Sequence, residues 1–313
     1  MQTTRWRPCR SRAGWWPVTP DELRGLLRER VLLLDGGMGS LLMAAGLERG
    51  RAPEWWNLEH PDRVEAAHRG YVEAGSDIVH TNTFGASPPK LQAAGLGGRC
   101  REVNALAVTI ARKACGTSTL VAGDVGPTGL LLPPVGQATV EELQEAFREQ
   151  VGALDAAGAD LISIETMYDL REALAAVEVA RATGLPVLAS MTFEARKRGF
   201  FTIMGDPLPT SLAALADAGA DAVGCNCSVS SSVMVGMVSE AHRSVSAPIS
   251  AQPNAGQPRI TPAGLVYDVT PEEFARDLVA MVEAGACFVG GCCGTTPEHI
   301  RSARVALDAA VVR

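Results

Sequence analysis

The stretch "FVGGCCGTTPEHI", Phe288 to Ile300, sets two thiols side by side, Cys292 and Cys293, with Gly290 and Gly291 before them and Gly294 after. Neighbouring cysteines are poorly placed to bridge one another, because a disulfide between them forces the intervening peptide away from easy geometry. A third thiol stands in "GCNC", where Cys225 and Cys227 flank Asn226. Three thiolates with one open position, here Cys227, Cys292 and Cys293, form a recognised zinc arrangement. Adjacent residues of a regular strand point to opposite sides, so Cys292 and Cys293 can face one ion only where the strand breaks. The glycines around them permit such a break. Two other readings stand beside this one. Cysteine is often a small buried hydrophobe, which suits Cys100, Cys115 and Cys287. A redox pair is normally C-x-x-C at a helix start, and that spacing does not occur. Cys225 alternates with Cys227 and in a regular strand would share its face; it ranks below the other three as a ligand.

Zinc held by three thiolates carries a net negative charge and is a poor Lewis acid for water. It can still bind an incoming thiol and hold it deprotonated, because a coordinating thiol loses its proton. A free thiol has a pKa of about 8.5, so only a few per cent ionises at neutral pH. Such a site suits the alkylation of a thiol substrate.

The elements that position these residues follow from a recurring phrase. "EAGSDIVHTNTF" (73–84), "AAGADLISIETM" (156–167), "DAGADAVGCNC" (217–227) and "EAGACFVGGCC" (283–293) each end a helix at Ala-Gly and continue, one residue later, with Asp or Cys and a short apolar run. The glycine suits a left-handed helix C-cap, and the apolar run suits a parallel strand buried on both faces. Four more apolar runs, in segments 31–37, 119–127, 185–193 and 247–254, bring the strands to eight. Thr139 with Glu142 and Thr270 with Glu273 read as capping boxes, and Pro271 and Pro297 take first helical positions behind Thr270 and Thr296. Eight alternating units predict an α/β fold, a single-domain (β/α)8 TIM barrel over residues 18–313. The competitor is an open doubly wound sheet, whose G-x-G-x-x-G does not follow the first strand. Asp35, Asn82, Asp124, Glu165, Thr192, Cys227, Asn254, Cys292 and Cys293 all fall near C-terminal strand ends. In a barrel those ends share the face where active sites form.

Composition excludes other classes. The chain of 313 residues is 47% hydrophobic and 20% charged, with a net charge of −7 and no basic stripe, so nucleic acid is not an expected partner. No apolar run is long enough to span a membrane. Residues 1–17, with four arginines among three tryptophans, lack the apolar stretch of a signal peptide and read as a poorly ordered N-terminal extension. Eight cysteines in so large a chain fit a reducing cytoplasm better than a disulfide scaffold.

In order along the chain, "LLLDGGMGSLL", "HTNTFGAS", "GDVGPTG", "IETMYDL", "GCNC", "QPNAG", "TPEEFA" and "GGCCGTTPEHI" resemble the homocysteine S-methyltransferase family over about residues 31 to 303. The wording is nearest the homocysteine domain of cobalamin-dependent methionine synthase; betaine–homocysteine methyltransferase is a further relative. The resemblance implies zinc as cofactor on Cys227, Cys292 and Cys293, and homocysteine as the thiol acceptor, converted to methionine. It implies that Asp35, Gly36 and Gly37 hold the amino-acid end of homocysteine and that Glu165 binds its ammonium. It makes Asn254 a candidate for the fourth zinc position before substrate arrives. Each has a plainer reading: Asp35 as a cap for the helix near Met38, Glu165 as a partner of Arg171, Asn254 as a turn stabiliser. Trp55 and Trp56 suggest a cage for a methylammonium donor but read more simply as loop packing. Where the family commonly has glycines after Cys227, this chain has "SVSSSVM", which puts the acceptor more in question than the metal.

The donor is not legible. Eight barrel units account for the chain, and D-x-H-x-x-G, a corrinoid ligand motif, is not present. The expectation is a separate methylcorrinoid protein docking over the barrel mouth, with a small methylated cation as the alternative. A barrel methylating a different thiol, or a zinc-binding partner protein without transfer activity, also remains open.

Overall fold

The computed structural model describes residues 18–261 and 264–311; the extension expected over residues 1–17 lies outside them. Twelve strands follow in chain order: β1 (Leu32–Leu33), β2 (Ile78–His80), β3 (Leu120–Val125), β4 (Leu161–Met167), β5 (Val187–Met191), β6 (Glu194–Arg196), β7 (Gly199–Phe201), β8 (Ala222–Ser230), β9 (Ile249–Asn254), β10 (Arg259–Thr261), β11 (Gly264–Val266) and β12 (Ala286–Val289). Eight of them form one parallel sheet in the order β1-β12-β9-β8-β5-β4-β3-β2. A parallel bridge between Leu34 and Ile78 joins its two ends. The sheet is therefore a barrel, and each of the eight segments read from the sequence holds the start of one of its strands. The remaining four strands make two hairpins, β6–β7 and β10–β11, in the loops beyond β5 and β9.

The barrel is filled from below by apolar side chains. Leu32, Leu34, Ile78, Ala122, Leu161, Leu188, Ala222 and Phe288 form one buried cluster, and Leu23 of the helix Pro20–Glu29 packs against it. That helix begins with a third capping box, Thr19 with Glu22. A larger cluster lies between the sheet and its helices. Both capping boxes read from the sequence are formed, at the helices Val140–Ala156 and Pro271–Glu283. Two residues further along the inward faces the side chains become polar or vanish: His80, Asp124, Ser163, Ser190 and Gly224. The change from apolar filling to polar lining marks the C-terminal mouth.

The recurring phrase has a physical reason. Gly75, Gly158, Gly219 and Gly285 all have φ between 89 and 113°, a left-handed conformation open to glycine at little cost. The aspartate two residues on then reaches across the bottom of the barrel. Asp77 accepts from the Leu33 amide at 2.9 Å, Asp160 from the Val121 amide at 2.7 Å and Asp221 from the Val187 amide at 3.0 Å. Each satisfies the first free N–H of a neighbouring strand and pairs with an arginine: Arg30 and Arg304 with Asp77, Arg112 with Asp160, Arg24 with Asp221. Cys287 takes this place in the fourth unit, where no such contact forms.

These contacts lie at the face opposite the thiols, so they bear on stability rather than chemistry. Asp160→Ala leaves a buried strand amide unsatisfied, which costs about 1–3 kcal/mol. A lowered urea midpoint with unchanged metal content is the expected result; unchanged stability would show that the Asp160 contact is dispensable.

Candidate functional site

Cys227, Cys292 and Cys293 come together at the mouth, their sulfurs all within 4.8 Å of one another. The Cys227 and Cys293 sulfurs are 3.9 Å apart. Sulfurs bound tetrahedrally to zinc at about 2.3 Å would lie about 3.8 Å apart. The donor set and its spacing therefore fit a thiolate-bound zinc ion. Cys225 does not join them. It is 1% exposed, packs in the layer between sheet and helices, and burial raises its thiol pKa far above the ordinary value.

The contrast between Cys225 and Cys227 corrects the expectation that they share a face. On β8 the inward residues are Ala222, Gly224 and Asn226, so in a regular strand Cys227 would point outward with Cys225. Cys227 and Ser228 instead have φ of 60° and 59°, and the register with β9 shifts after Asn226. This backbone, costly for non-glycine residues, turns the Cys227 sulfur back over the mouth. At the other end of the cluster β12 stops at Val289, and residues 290–293 leave the strand as required. Gly294 has φ 81°, and a Cβ there would lie 2.1 Å from the Tyr267 ring. Gly291 serves close approach rather than a left-handed turn: a Cβ would meet Thr295 Oγ1 at 2.4 Å. Thr295 fixes the turn, donating to the Cys292 carbonyl at 2.6 Å and accepting from the Gly37 amide at 2.9 Å. A Cβ on Gly37 would meet the Cys292 carbonyl oxygen at 2.5 Å, and one on Gly36 would meet Thr295 Oγ1 at 2.6 Å. Both glycines of the Asp-Gly-Gly segment thus lie directly against the cysteine turn.

Asp35 is buried, and neither oxygen caps a helix. Oδ1 lies 2.7 Å from His80 Nδ1, and Oδ2 accepts from the His80 amide at 2.9 Å. His80 Nε2 is 3.1 Å from Ser163 Oγ. Burial alone would lower the His80 pKa, but the charges of Asp35, Glu165 and Asp124 outweigh it and push it up to about 9. Glu165 is not paired with Arg171, which holds Asp169 instead. Its carboxylate accepts from Asn226 Nδ2 at 3.3 Å, and burial pushes its pKa up to about 7. Asn226 also donates to Thr166 Oγ1 at 2.7 Å and accepts from the Thr166 amide at 2.8 Å. It thereby clasps β4 to β8 across the mouth. Thr166 has φ 58°. Among the described residues, the three non-glycine positions with positive φ are all in this site.

Asn254 Oδ1 accepts from the Cys293 amide at 3.1 Å, and its side chain also hydrogen-bonds the Cys227 sulfur. It spans two of the three cysteines. Tyr267 lies over Gly294 with its hydroxyl against Cys293, and its pKa is pushed up to about 12, by burial first and then by the cysteine charges. The serines after Cys227 have distinct places: Ser228 donates its amide to the Cys227 sulfur and bonds Thr192 through its hydroxyl, while Ser231 donates to Asp277 at 2.6 Å. The Cys227 thiol pKa is pushed down to about 3, because the other two cysteines, the Ser228 amide and Asn254 donate to its sulfur; Cys292 moves the opposite way for the same reason. Trp55 and Trp56 form no cage. Trp55 donates to the Ala94 carbonyl under Arg51, and Trp56 is buried against His60. His80, Thr166, Asn226 and Tyr267 were not singled out from the sequence. The signal for Asn226 was its position between two cysteines, and for His80 its place just before "TNTF".

The profile of the family described as homocysteine S-methyltransferase matches residues 32–307. The chain belongs to the homocysteine S-methyltransferase family. It is 35% identical over 306 residues to the methionine synthase of Mycobacterium tuberculosis and 34% identical to that of Mycobacterium leprae, matching over 91% of its own length and spanning about a quarter of theirs (25% in each). The homocysteine methyltransferase MmuM from Escherichia coli, in a crystal structure of its metallated form, superposes with a TM-score of 0.76 at 29% identity, over 90% of this chain and 99% of that one.

Two results are expected. Cys227→Ala, Cys292→Ala and Cys293→Ala should each lose bound metal, whereas Cys225→Ala should keep it; full metal occupancy in the first three would remove the assignment. The Asp35–His80 pair makes stability pH-dependent. His80 keeps in the folded state a proton that the unfolded chain releases near pH 6.5, so its contribution is complete below that pH and is lost as pH rises through about 9. Between pH 8 and 9.5, where Glu165 with its pKa of about 7 is largely ionised, unfolding free energy should fall by about 1 kcal/mol. His80→Gln should lack this fall, and an equal fall in that variant would assign it elsewhere.

Proposed function

We propose that this protein is a zinc-dependent thiol S-methyltransferase that methylates homocysteine to methionine. The observation that carries the reading is the convergence of three sulfurs at a barrel mouth, beside a half-buried glutamate that no arginine or lysine neutralises among the described residues. Cys227, Cys292 and Cys293 would hold zinc, which supplies a site where a substrate thiol stays deprotonated at neutral pH. The names of the relatives support homocysteine as the thiol.

The roles of the chain's own residues follow from their places. The three cysteines fix the direction from which the substrate sulfur faces the methyl donor. Asn254 and the Ser228 amide steady two of the ligands by hydrogen bonds to Cys227 and Cys293. Glu165 takes the ammonium group of homocysteine. Gly36 and Gly37 form the wall against which its amino-acid end lies. Asp35 acts at one remove, since His80 occupies both its oxygens, and holds that wall to the end of β2. No side chain is needed as a general base in methyl transfer, because the thiol proton leaves on binding.

For the donor, the exposed apolar side chains are informative. Met43, Phe84, Leu131, Val135, Ile203 and Val266 are each 38% or more exposed, and all lie in segments that follow the C-terminal ends of barrel strands. An apolar rim around the mouth suits a docked macromolecule, and the packed state of Trp55 and Trp56 removes the aromatic cage a small cation would want. A separate methylcorrinoid protein is the donor this favours. Cysteines without disulfide partners among the described residues suit a cytoplasmic setting.

The test separates binding from chemistry. Glu165→Gln should raise the homocysteine requirement on the order of tenfold to a hundredfold, because a buried ammonium loses its charge partner. Zinc content should not change, and a simple thiol such as mercaptoethanol should be little affected. Equal weakening of both thiols, or loss of metal, would make Glu165 structural.

A further inference from the structure

Asp124 ends the inward face of β3, beside Ser163 of β4 in the sheet register and two residues beyond Ala122 on the same face. It is 5% exposed, and Oδ1 is buried without any hydrogen-bond partner. Among the described residues no side chain or amide bonds its other oxygen either; the hydrogen bonds at Asp124 are made by its backbone, with Thr81, Thr83 and Gln150. A buried carboxyl oxygen with nothing to satisfy it is costly in a native protein and calls for an explanation. Among the other polar side chains of this layer the Ser250 hydroxyl is also buried without a partner, but a neutral hydroxyl is far less costly than a carboxyl group, and the titratable neighbours are accounted for. Asp35 and His80 satisfy each other, Ser163 bonds His80, and Asn226 bonds Glu165 and Thr166.

The charges around it narrow what could fill the gap. The groups that act on Asp124 are Glu165, His80, Asp35 and Glu54. Three are acids, and the one cation, His80, is already bound to Asp35 and Ser163. Burial and Glu165 push the Asp124 pKa well up, which is the response of a carboxyl that needs a cation it does not have. A cation placed against it would lower that pKa and be held by the carboxylate, whereas an anion could be met only by the protonated acid. A group with several N–H donors and a positive charge would satisfy Asp124 and Glu165 together, and a primary ammonium has three such donors.

We propose that Asp124 is a second carboxyl of the substrate pocket, which with Glu165 grips the α-ammonium of the amino-acid substrate and makes this barrel select amino-acid thiols over plain ones. This rests on the reading of the site as a homocysteine methyltransferase. It adds a residue and a source of selectivity to it. The role is one of binding: Asp124 contacts a non-reacting end of the substrate and moves no proton to or from sulfur.

The experiment uses the product side, where no thiol ionisation intervenes. Methionine and its des-amino analogue, 4-(methylthio)butanoate, are titrated by calorimetry into the zinc-loaded wild-type protein, Asp124→Asn, Asp124→Ser and Glu165→Gln, each checked for thermal stability and metal content. The wild type should prefer methionine by at least tenfold. Both Asp124 variants should lose most of that preference through weaker methionine binding, with the analogue unchanged, as should Glu165→Gln. Two results overturn the proposal while leaving the methyltransferase reading standing: Asp124 variants that keep the full preference while Glu165→Gln loses it, or Asp124 variants that weaken both ligands equally. Wild-type protein that binds neither methionine nor homocysteine overturns that reading and this proposal with it.

Discussion

Three sulfurs within 4.8 Å of one another are an electrostatic problem before they are a site. Three thiolates at that spacing repel strongly in a partly buried setting, and the protein answers with donors rather than with lysine or arginine. The Ser228 amide and Asn254 give hydrogen bonds to Cys227, and one cysteine loses its proton far more readily than its neighbours. The arrangement becomes favourable for all three sulfurs once a divalent cation sits between them. Much of the mouth can be understood as the means of holding that geometry open.

The backbone bears part of the cost. Cys227 and Ser228 sit in the left-handed region without being glycine, and so does Thr166 across the mouth. Asn226 ties the two strained segments together through its amide, so neither can relax alone. On the other side Thr295 binds the Cys292 carbonyl and the Gly37 amide, joining the last cysteine turn to the first barrel strand. Below, the Asp35–His80–Ser163 chain links β1, β2 and β4. Strand-end clasps of this kind resist the spreading that repulsion among the sulfurs would drive.

The barrel was legible in the sequence because its repeat is local. Each Ala-Gly turn must be left-handed, and each apolar run is buried on both faces, so the period shows without any long-range information. The cysteine trio was legible for a related reason, since adjacent thiols among glycines have few uses. What escaped depends on exceptions to regular geometry. Alternation along β8 placed Cys225 and Cys227 on one face, correctly for a regular strand, but φ at Cys227 changes sign and only that sulfur reaches the mouth. Asp35 could be seen as important, yet its partner His80 lies 45 residues away and nothing local connects them. The sequence assigns no role to the aspartates of the recurring phrase, because their bonds to neighbouring strands form only once the barrel closes.

The central claim is that the three cysteines leave one position for a substrate sulfur. X-ray absorption at the zinc edge tests it most directly. The zinc-loaded protein should show three sulfurs and one lighter atom. Saturating homocysteine should convert this to four sulfurs, with release of about one proton per site near neutral pH. A zinc shell unchanged by homocysteine, in protein that holds the metal, would contradict the account.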